Sequence, residues 1–305
     1  MASLLERLKS GGVGAHQVAR PPAAVEVTSE GVVGAALHVG GAPSYAYQPL
    51  PVGAVKPGTA EQNLAEPVKV AEAIRAVLDA VEPAKHSVTV VVPDLAARVF
   101  MLDFDSLPAK SSEALAVLRF RLRKMVPFDV EKAQISHQVL EETRQGIKLL
   151  VAVMPGEILA EYEQAVRAAG YEPGAVVPAG LAVLAAVEET GAVLVANLTP
   201  LSLTTVVANG DDLLLYRTVE LPANVARDEV QRDLAVAAAY YEDSVGKPPA
   251  RLLYAGNGGA ARFREWAGEP DMELVDAAVQ PELGAATTMA TASVAAVQGV
   301  LAGVN

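Results

Sequence analysis

The side chains that could perform chemistry are few and scattered in this 305-residue chain. There is no cysteine, which excludes thiolate nucleophiles, thiolate metal ligands and disulfides. The nucleophile motif Gly-x-Ser-x-Gly does not occur. The histidines also lack the spacing of metal ligands, so no metal site is predicted. They are His16, His38, His86 and His137.

One glycine-rich turn has the composition of a ligand-binding loop. Gly256-Asn257-Gly258-Gly259 lies between a predicted strand, Arg251–Ala255, and a predicted helix, Ala260–Ala267. Backbone N–H groups in such a turn can approach a phosphate closely. A glycine turn alone does not distinguish a ligand site from an ordinary connection.

The charge balance argues against nucleic acid as a partner. The net charge is −12, from 24 basic and 36 acidic residues, so phosphate backbones repel the chain. The densest basic cluster lies on a predicted helix, Ser111–Val126. An acidic partner segment and a solvated helix face explain this cluster equally well. Its members are Arg119, Arg121, Arg123 and Lys124.

The hydrophobic patterns predict mixed α/β structure in layers. A hairpin, a helix and further strands occur twice along the chain, and Pro43–Thr59 is predicted to be a loop. The chain is predicted to close with a buried helix, Ala285–Gly303, rather than a membrane span. The principal predicted strands are Ala23–Val27, Val32–Val39, Ser87–Val92, Arg98–Phe104, Ile135–Leu140, Ile147–Val153, Val193–Leu198, Ser202–Ala208 and Asp212–Val219.

This order of elements resembles the PilM branch of the actin-like ATPase fold, whose relatives include FtsA. The stretch Val126-Pro127-Phe128-Asp129 is similar to that family's helix followed by Ile-Pro-Phe, and Ile147–Val177 resembles its returning strand, helix and turn. The resemblance implies an actin-like (ribonuclease H-like) two-lobed α/β fold with an inserted β-α-β-β subdomain and a reduced second lobe. The implied division is an N-terminal tail (1–21), a first lobe (22–86 with 154–190), the insert (87–153) and a second lobe with the C-terminal helix (191–305).

In that fold, two hairpins and a third loop hold a nucleotide. Thr28 and Thr199 stand where the family has glycine, and Asn197 replaces an aspartate, so side chains crowd the backbone that a phosphate must approach. Only about thirty residues, Glu220–Pro249, stand where the family carries a subdomain that covers the nucleotide. The resemblance thus implies a pseudo-ATPase with no catalytic residues and no cofactor, ATP with Mg²⁺ being the alternative. If nucleotide binds, the implied residues are Glu26, Thr28, Ser29, Asn197, Thr199, Gly256, Gly258 and Gly259.

The resemblance further implies a cytoplasmic scaffold of a type IV pilus or type II secretion machine, at the inner face of the inner membrane. Such a scaffold binds the cytoplasmic tail of an inner-membrane protein of the PilN kind, in a groove between the first lobe and the insert. Core packing is the competing explanation for each groove candidate, and an actin-like ATPase or an FtsA-like filament is the competing function. The groove candidates are Val99, Met101, Phe120, Met125, Phe128 and Val130.

Overall fold

The computed structural model describes residues 21–189, 191–222, 224–268, 272–278 and 292–302. The strands in these ranges are β1 (Ala23–Val27), β2 (Gly31–Ala36), β3 (Ser44–Pro49), β4 (Ser87–Val92), β5 (Arg98–Phe104), β6 (Ala133–Glu142), β7 (Ile147–Pro155), β8 (Glu172–Pro178), β9 (Ala192–Leu198), β10 (Ser202–Asn209), β11 (Asp212–Glu220), β12 (Arg251–Gly256) and β13 (Glu273–Asp276). The helices are α1 (Pro67–Val81), α2 (Ser111–Leu122), α3 (Gly156–Ala168), α4 (Ala179–Ala186), α5 (Arg227–Val245), α6 (Gly259–Ala267) and α7 (Ala295–Leu301).

Two five-stranded sheets share one topology. The first has the order β3-β2-β1-β4-β8 and the second the order β11-β10-β9-β12-β13. In each, an antiparallel three-stranded meander continues into two parallel strands. The chain thus builds the same lobe twice, as the repeated hairpin–helix–strand pattern predicted.

Helices cover both faces of the first sheet, which explains why its central strands β1 and β4 are predominantly apolar. Helices α1 and α3 pack on one face through Ile74, Val77 and Val166, which are buried with the strand valines. Helices α4 and α7 lie on the other face, in a core that also takes in the second sheet. This shared core holds the two lobes together.

A third, smaller sheet has the order β5-β7-β6 and carries α2 on one face. Leu118 and Leu122 of α2 are fully buried against this sheet. The order β5, α2, β6, β7 gives the β-α-β-β unit that the resemblance implied.

Three sequence-based boundaries need correction. Residues 87–92 were assigned to the insert, but β4 pairs in parallel with β1 and β8 in the first sheet, because its residues 88–92, four of which are valine, are all buried. Part of the predicted loop Pro43–Thr59 forms edge strand β3, since alternating Tyr45 and Tyr47 pack against the core between the lobes. The basic helix ends at Leu122 rather than Val126.

Parts of two further predictions lie outside the described residues. These are the N-terminal tail up to residue 20 and, in the predicted C-terminal helix, residues 285–291 and 303; of the described residues in that prediction, α7 is helical and residues 292–294 precede the helix. Within the described ranges, every helix is too short or too polar to cross a bilayer.

Candidate functional site

Three turns from the two lobes meet at one cleft of about 440 Å³. They are the β1–β2 turn, the β9–β10 turn and the β12–α6 turn, the three places where the resemblance put nucleotide-binding residues. Arg262 and Trp266 of α6 and Tyr47 of β3 also line the cleft. The site is therefore assembled from both halves of the chain.

The β1–β2 turn is held by hydrogen bonds to the side chain of its own Thr28. The Thr28 hydroxyl accepts hydrogen bonds from the N–H groups of Glu30 (3.2 Å) and Gly31 (3.0 Å) and donates to the Gly31 carbonyl (2.8 Å). A phosphate held by such a hairpin would be bound through backbone N–H groups of this kind. In this chain two of those donors already have a partner.

The β9–β10 turn repeats this arrangement in the second lobe. The Thr199 hydroxyl accepts from the N–H groups of Leu201 (3.4 Å) and Ser202 (3.0 Å). It also contacts the Ser202 hydroxyl at 2.9 Å. The two threonines, which stand where the resemblance leads us to expect glycine, therefore perform the same task in corresponding turns.

The third turn uses a carboxylate in the same way. Gly258 and Gly259 have φ angles of +80° and +67°, a backbone conformation that favours glycine. The Ala260 N–H, in the first turn of α6, donates to Asp276 Oδ1 at 2.8 Å. The negative charge that favours a helix N-terminus thus comes from the chain's own β13.

A side-chain contact also crosses the cleft between the lobes. The Asn257 amide donates to the Glu30 carboxylate, and the Tyr47 hydroxyl donates to the Glu30 carbonyl at 3.1 Å. Partial burial raises the pKa of Glu30, although the positive charge of Arg262 opposes this shift. An anion entering the cleft would meet Glu30 as well as Arg262.

A buried aspartate joins the lobes beneath the cleft. Asp94 is 4 % exposed and lies in a short 3-10 turn directly after β4. Its carboxylate accepts from the Gly180 N–H (2.8 Å), the Thr204 hydroxyl (2.8 Å), the Tyr216 hydroxyl (2.9 Å) and the Asn197 amide (3.3 Å). Two elements of the first lobe are thereby bonded to three strands of the second.

Glycine is required at position 180 for this contact. A Cβ there would lie 2.5 Å from the Tyr216 hydroxyl and 2.7 Å from Thr204 Cγ2. The absence of a side chain lets the Gly180 N–H approach Asp94 directly.

Glu26 on β1 lies close enough to Asp94 for the negative charge of Asp94 to affect the pKa of Glu26. Burial, and to a smaller extent the negative charge of Asp94, raise the pKa of Glu26 to about 8. Burial also raises the pKa of Asp94, while its four donors oppose the shift. We therefore place the negative charge on Asp94 and the proton on Glu26 near neutral pH. A protonated Glu26 is a poor ligand for Mg²⁺, which prefers charged oxygen ligands.

A second concavity, of about 450 Å³, lies between the first lobe and the small sheet. We call it the lobe–insert groove and define it by its lining residues. They are Thr59, Ala60, Glu61, Gln62, Phe128, Asp129, Lys132, Pro155, Gly156, Glu157, Ile158 and Glu161.

Of the six predicted groove candidates, Phe128 alone lines this groove. Val130 is 2 % exposed in the core of the small sheet, and Val99 and Met101 pack against the core between the lobes. Phe120 is 73 % exposed and Met125 is 37 % exposed, and neither lines the groove. The structure does not bring the six together.

The eight residues that were predicted to bind a nucleotide do not all lie at the cleft. The turns that contain Thr28, Ser29, Thr199 and the three glycines converge on the cleft, but Asn197 directs its amide to Asp94. Sequence reasoning missed Asp94, although an aspartate one residue after a buried parallel strand is a recognisable position for a buried functional group. It also missed Asp276, which only its parallel pairing with β12 brings to the third turn.

The comparisons with known proteins rest on structure, since no family model matches the chain and no curated protein matches it by sequence. A chain of a PilM-PilN type IV pilus biogenesis complex is similar at TM-score 0.67 and 21% identity, over 93% of this chain and 99% of that one. The cytoplasmic domain of EpsL, an inner-membrane component of the type II secretion system of Vibrio cholerae, is similar at TM-score 0.52 and 13% identity, over 92% and 94%.

A Bacteroides thetaiotaomicron protein of unknown function with an actin-like ATPase fold is similar at TM-score 0.54 and 7% identity. This match covers 96% of the present chain and 99% of the other. All three structures span both lobes and the small sheet together. The chain therefore has the two-lobed actin-like ATPase fold, in the arrangement seen in the PilM-PilN complex.

Proposed function

We propose that this chain is a scaffold of a type IV pilus or type II secretion assembly machine. In this role it binds the cytoplasmic tail of an inner-membrane protein of the PilN kind and does not hydrolyse ATP. The observation that carries the proposal is the lobe–insert groove in a chain that matches a PilM-PilN complex over nearly its whole length. A groove of about 450 Å³ accommodates several residues of an extended peptide.

The cleft supports the second half of the proposal. Threonine hydroxyls occupy donors in two of its turns, a carboxylate occupies a donor in the third, and Glu30 bridges the lobes. Hydrolysis requires a bound and oriented nucleotide with its metal ion. Neither the occupied donors nor a protonated Glu26 favours that state.

The test is a binding titration of the full chain with the synthetic tail of the PilN-like protein from the same bacterium. Ala60 is exposed at the groove, so Ala60→Trp fills the groove without disturbing the core. We expect this variant to weaken binding at least about tenfold. Ala116→Trp, at an exposed alanine on α2, is the matched control and should bind as the parent chain does.

Absence of tail binding by the parent chain would overturn the proposal. Equal tail binding by Ala60→Trp and the parent chain would place the tail elsewhere on the molecule.

Two residues of the cleft favour a second function, nucleotide binding by an actin-like ATPase or by an FtsA-like filament. Arg262 offers a positive charge and Trp266 a partly exposed ring at the place where the fold holds a nucleotide. Sedimentation with and without nucleotide separates a filament from a monomeric adaptor.

The proposal places the protein in the cytoplasm, at the inner face of the inner membrane, through its partner. We also propose the division into a tail, two lobes and an insert, with the insert beginning at β5.

A further inference from the structure

The charges around the lobe–insert groove indicate what kind of segment it receives. Four of its lining residues are acidic and one is basic. The acidic residues are Glu61, Asp129, Glu157 and Glu161, and the basic residue is Lys132.

Within the described residues, two of these four acidic side chains accept hydrogen bonds and the other two do not. Asp129 accepts from the Glu131 N–H, and Glu161 accepts from the N–H groups of Asn63 and Leu64. Glu61 and Glu157 are exposed and form no ion pair or side-chain hydrogen bond within the described residues. The free negative charge at the groove therefore comes mainly from Glu61 and Glu157.

The groove also offers apolar contact and the N-terminus of helix α3. Phe128, Pro155 and Ile158 line it, and helix α3 begins in it with no side-chain cap on its first N–H groups. Those N–H groups can donate hydrogen bonds to the carbonyl oxygens of an extended peptide.

The apolar surface continues beyond the groove. Gln62 and Glu161 are shared with a neighbouring concavity of about 450 Å³ between α1 and α3. Val68 lines that concavity and is 69 % exposed. A segment that leaves the groove in this direction can bury an apolar side chain against Val68.

We infer that the groove binds an extended segment that carries lysine or arginine on either side of an apolar side chain. The inference rests on the proposed function and specifies the chemistry of the tail. Glu61 and Glu157 attract the cationic side chains, while Phe128 and Ile158 contact the apolar one. Because the chain as a whole is acidic, a basic segment is also drawn to it at long range.

The experiment uses fluorescence anisotropy with two kinds of probe. One is the labelled tail described above, and the other is a pair of labelled model peptides. The model peptides share their leucine positions, but one carries lysines where the other carries glutamates. Titrations at low and high NaCl measure the electrostatic part of the affinity.

The variants separate local charge from net charge. Glu61→Lys with Glu157→Lys reverses the two free carboxylates of the groove. Glu141→Lys with Glu142→Lys makes the same change in net charge at the opposite end of β6, where both glutamates are exposed. Lys132→Gln removes the cation that lines the groove. Circular dichroism confirms that each variant is folded.

We expect the lysine peptide to bind and the glutamate peptide to fail. The groove double variant should bind the lysine peptide and the tail at least about tenfold more weakly at low salt. The control double variant should change affinity by less than about twofold to threefold, and Lys132→Gln should strengthen binding.

Tail affinity that changes neither with the NaCl concentration nor in either double variant would overturn this inference and leave the proposed function in place. Charge-dependent binding of the lysine peptide without tail binding would support the inference and overturn the proposed function. Failure of both probes would overturn both.

Discussion

Single side chains decide whether the cleft of this molecule can bind phosphate. Thr28 and Thr199 each bond two N–H groups of their own turns, and Asp276 bonds the Ala260 N–H. Such local side-chain bonds compete directly with any ligand for the same donors. A glycine at either position would carry no such competing group.

Glu26 should make the stability of the protein depend on pH. Its pKa is about 8 in the folded chain, raised by burial and by Asp94, against 4.5 for an unburied glutamate. The unfolded chain therefore releases this proton at lower pH than the folded chain does, and stability falls as pH rises from about 4.5 to about 8. The loss from this group is at most about 1.4 kcal/mol per pH unit.

Glu26→Gln removes this titration. We expect the variant to match the parent chain near pH 5 and to exceed its stability increasingly up to about pH 8. Urea unfolding across this range measures the difference, and Asp94 is present in both proteins as an internal control. A constant difference across the range would show that Glu26 titrates normally.

Asp94 should be one of the most sensitive positions in the chain. Asp94→Ala leaves four buried donors without their acceptor, which should cost about 3–5 kcal/mol of stability. Tyr216→Phe removes a single donor from the same carboxylate and should cost about 1 kcal/mol.

Urea midpoints of the two variants make the comparison. Equal losses for Asp94→Ala and Tyr216→Phe would contradict the role of Asp94 as the acceptor that joins the lobes.

At the scale of elements, the lobes are held together by the contact between helices α4 and α7. Both helices are rich in alanine and lie in the core that the two sheets share. At Gly299 the approach is so close that an added Cβ would lie 1.8 Å from the Ala182 carbonyl oxygen. Small residues here allow the two helix backbones to touch.

Gly299→Ala should therefore force α4 and α7 apart. We expect a loss of about 3 kcal/mol, because overpacking at a backbone contact cannot be relieved by a side-chain rotation. Gly191→Ala is the matched control, since an added Cβ there meets nothing within 4 Å and should change stability little. Thermal and urea unfolding measure both, and a neutral Gly299→Ala would mean that the helices separate at little cost.

At the scale of the whole molecule, side-chain contacts join the two lobes both across the cleft and beneath it. The Asp94 cluster lies under the cleft, and the Asn257–Glu30 contact crosses it. The lobes are therefore joined without any ligand. This arrangement suits a scaffold whose shape must not vary with nucleotide level.

Nucleotide should leave the protein unchanged. Trp266 is the chain's sole tryptophan and lines the cleft, so its fluorescence reports directly on that site. We expect no change in Trp266 fluorescence, calorimetric heat or melting temperature with ATP or ADP and Mg²⁺ up to millimolar concentrations. A ligand at a hundred times its Kd would instead raise stability by about 2.7 kcal/mol.

Saturable binding that is lost in Gly258→Val would contradict the pseudo-ATPase proposal. The tail titration provides the control that the same sample is active.

Much of the fold could be predicted because local pattern and burial agree in its central elements. The β-branched run Ser87–Val92 predicts a buried strand, and the spacing of Ile74, Val77 and Leu78 predicts helix α1. The edge strand β3 could not be predicted, since its tyrosines are half-buried and its flanks are rich in glycine and proline. Its strand character comes from pairing with β2.

The sequence by itself determined the repeated α/β order, the absence of thiol chemistry and the presence of a threonine in both the β1–β2 and the β9–β10 turn, because each depends on residue type and short-range spacing. Tertiary structure alone decided that Asp94 joins the lobes and that Asp276 accepts a hydrogen bond at the third turn. It also decided that Phe128 lines the groove while Val130 does not. These facts depend on contacts between residues far apart in the chain. Such contacts follow from strand order and burial, which local pattern does not specify.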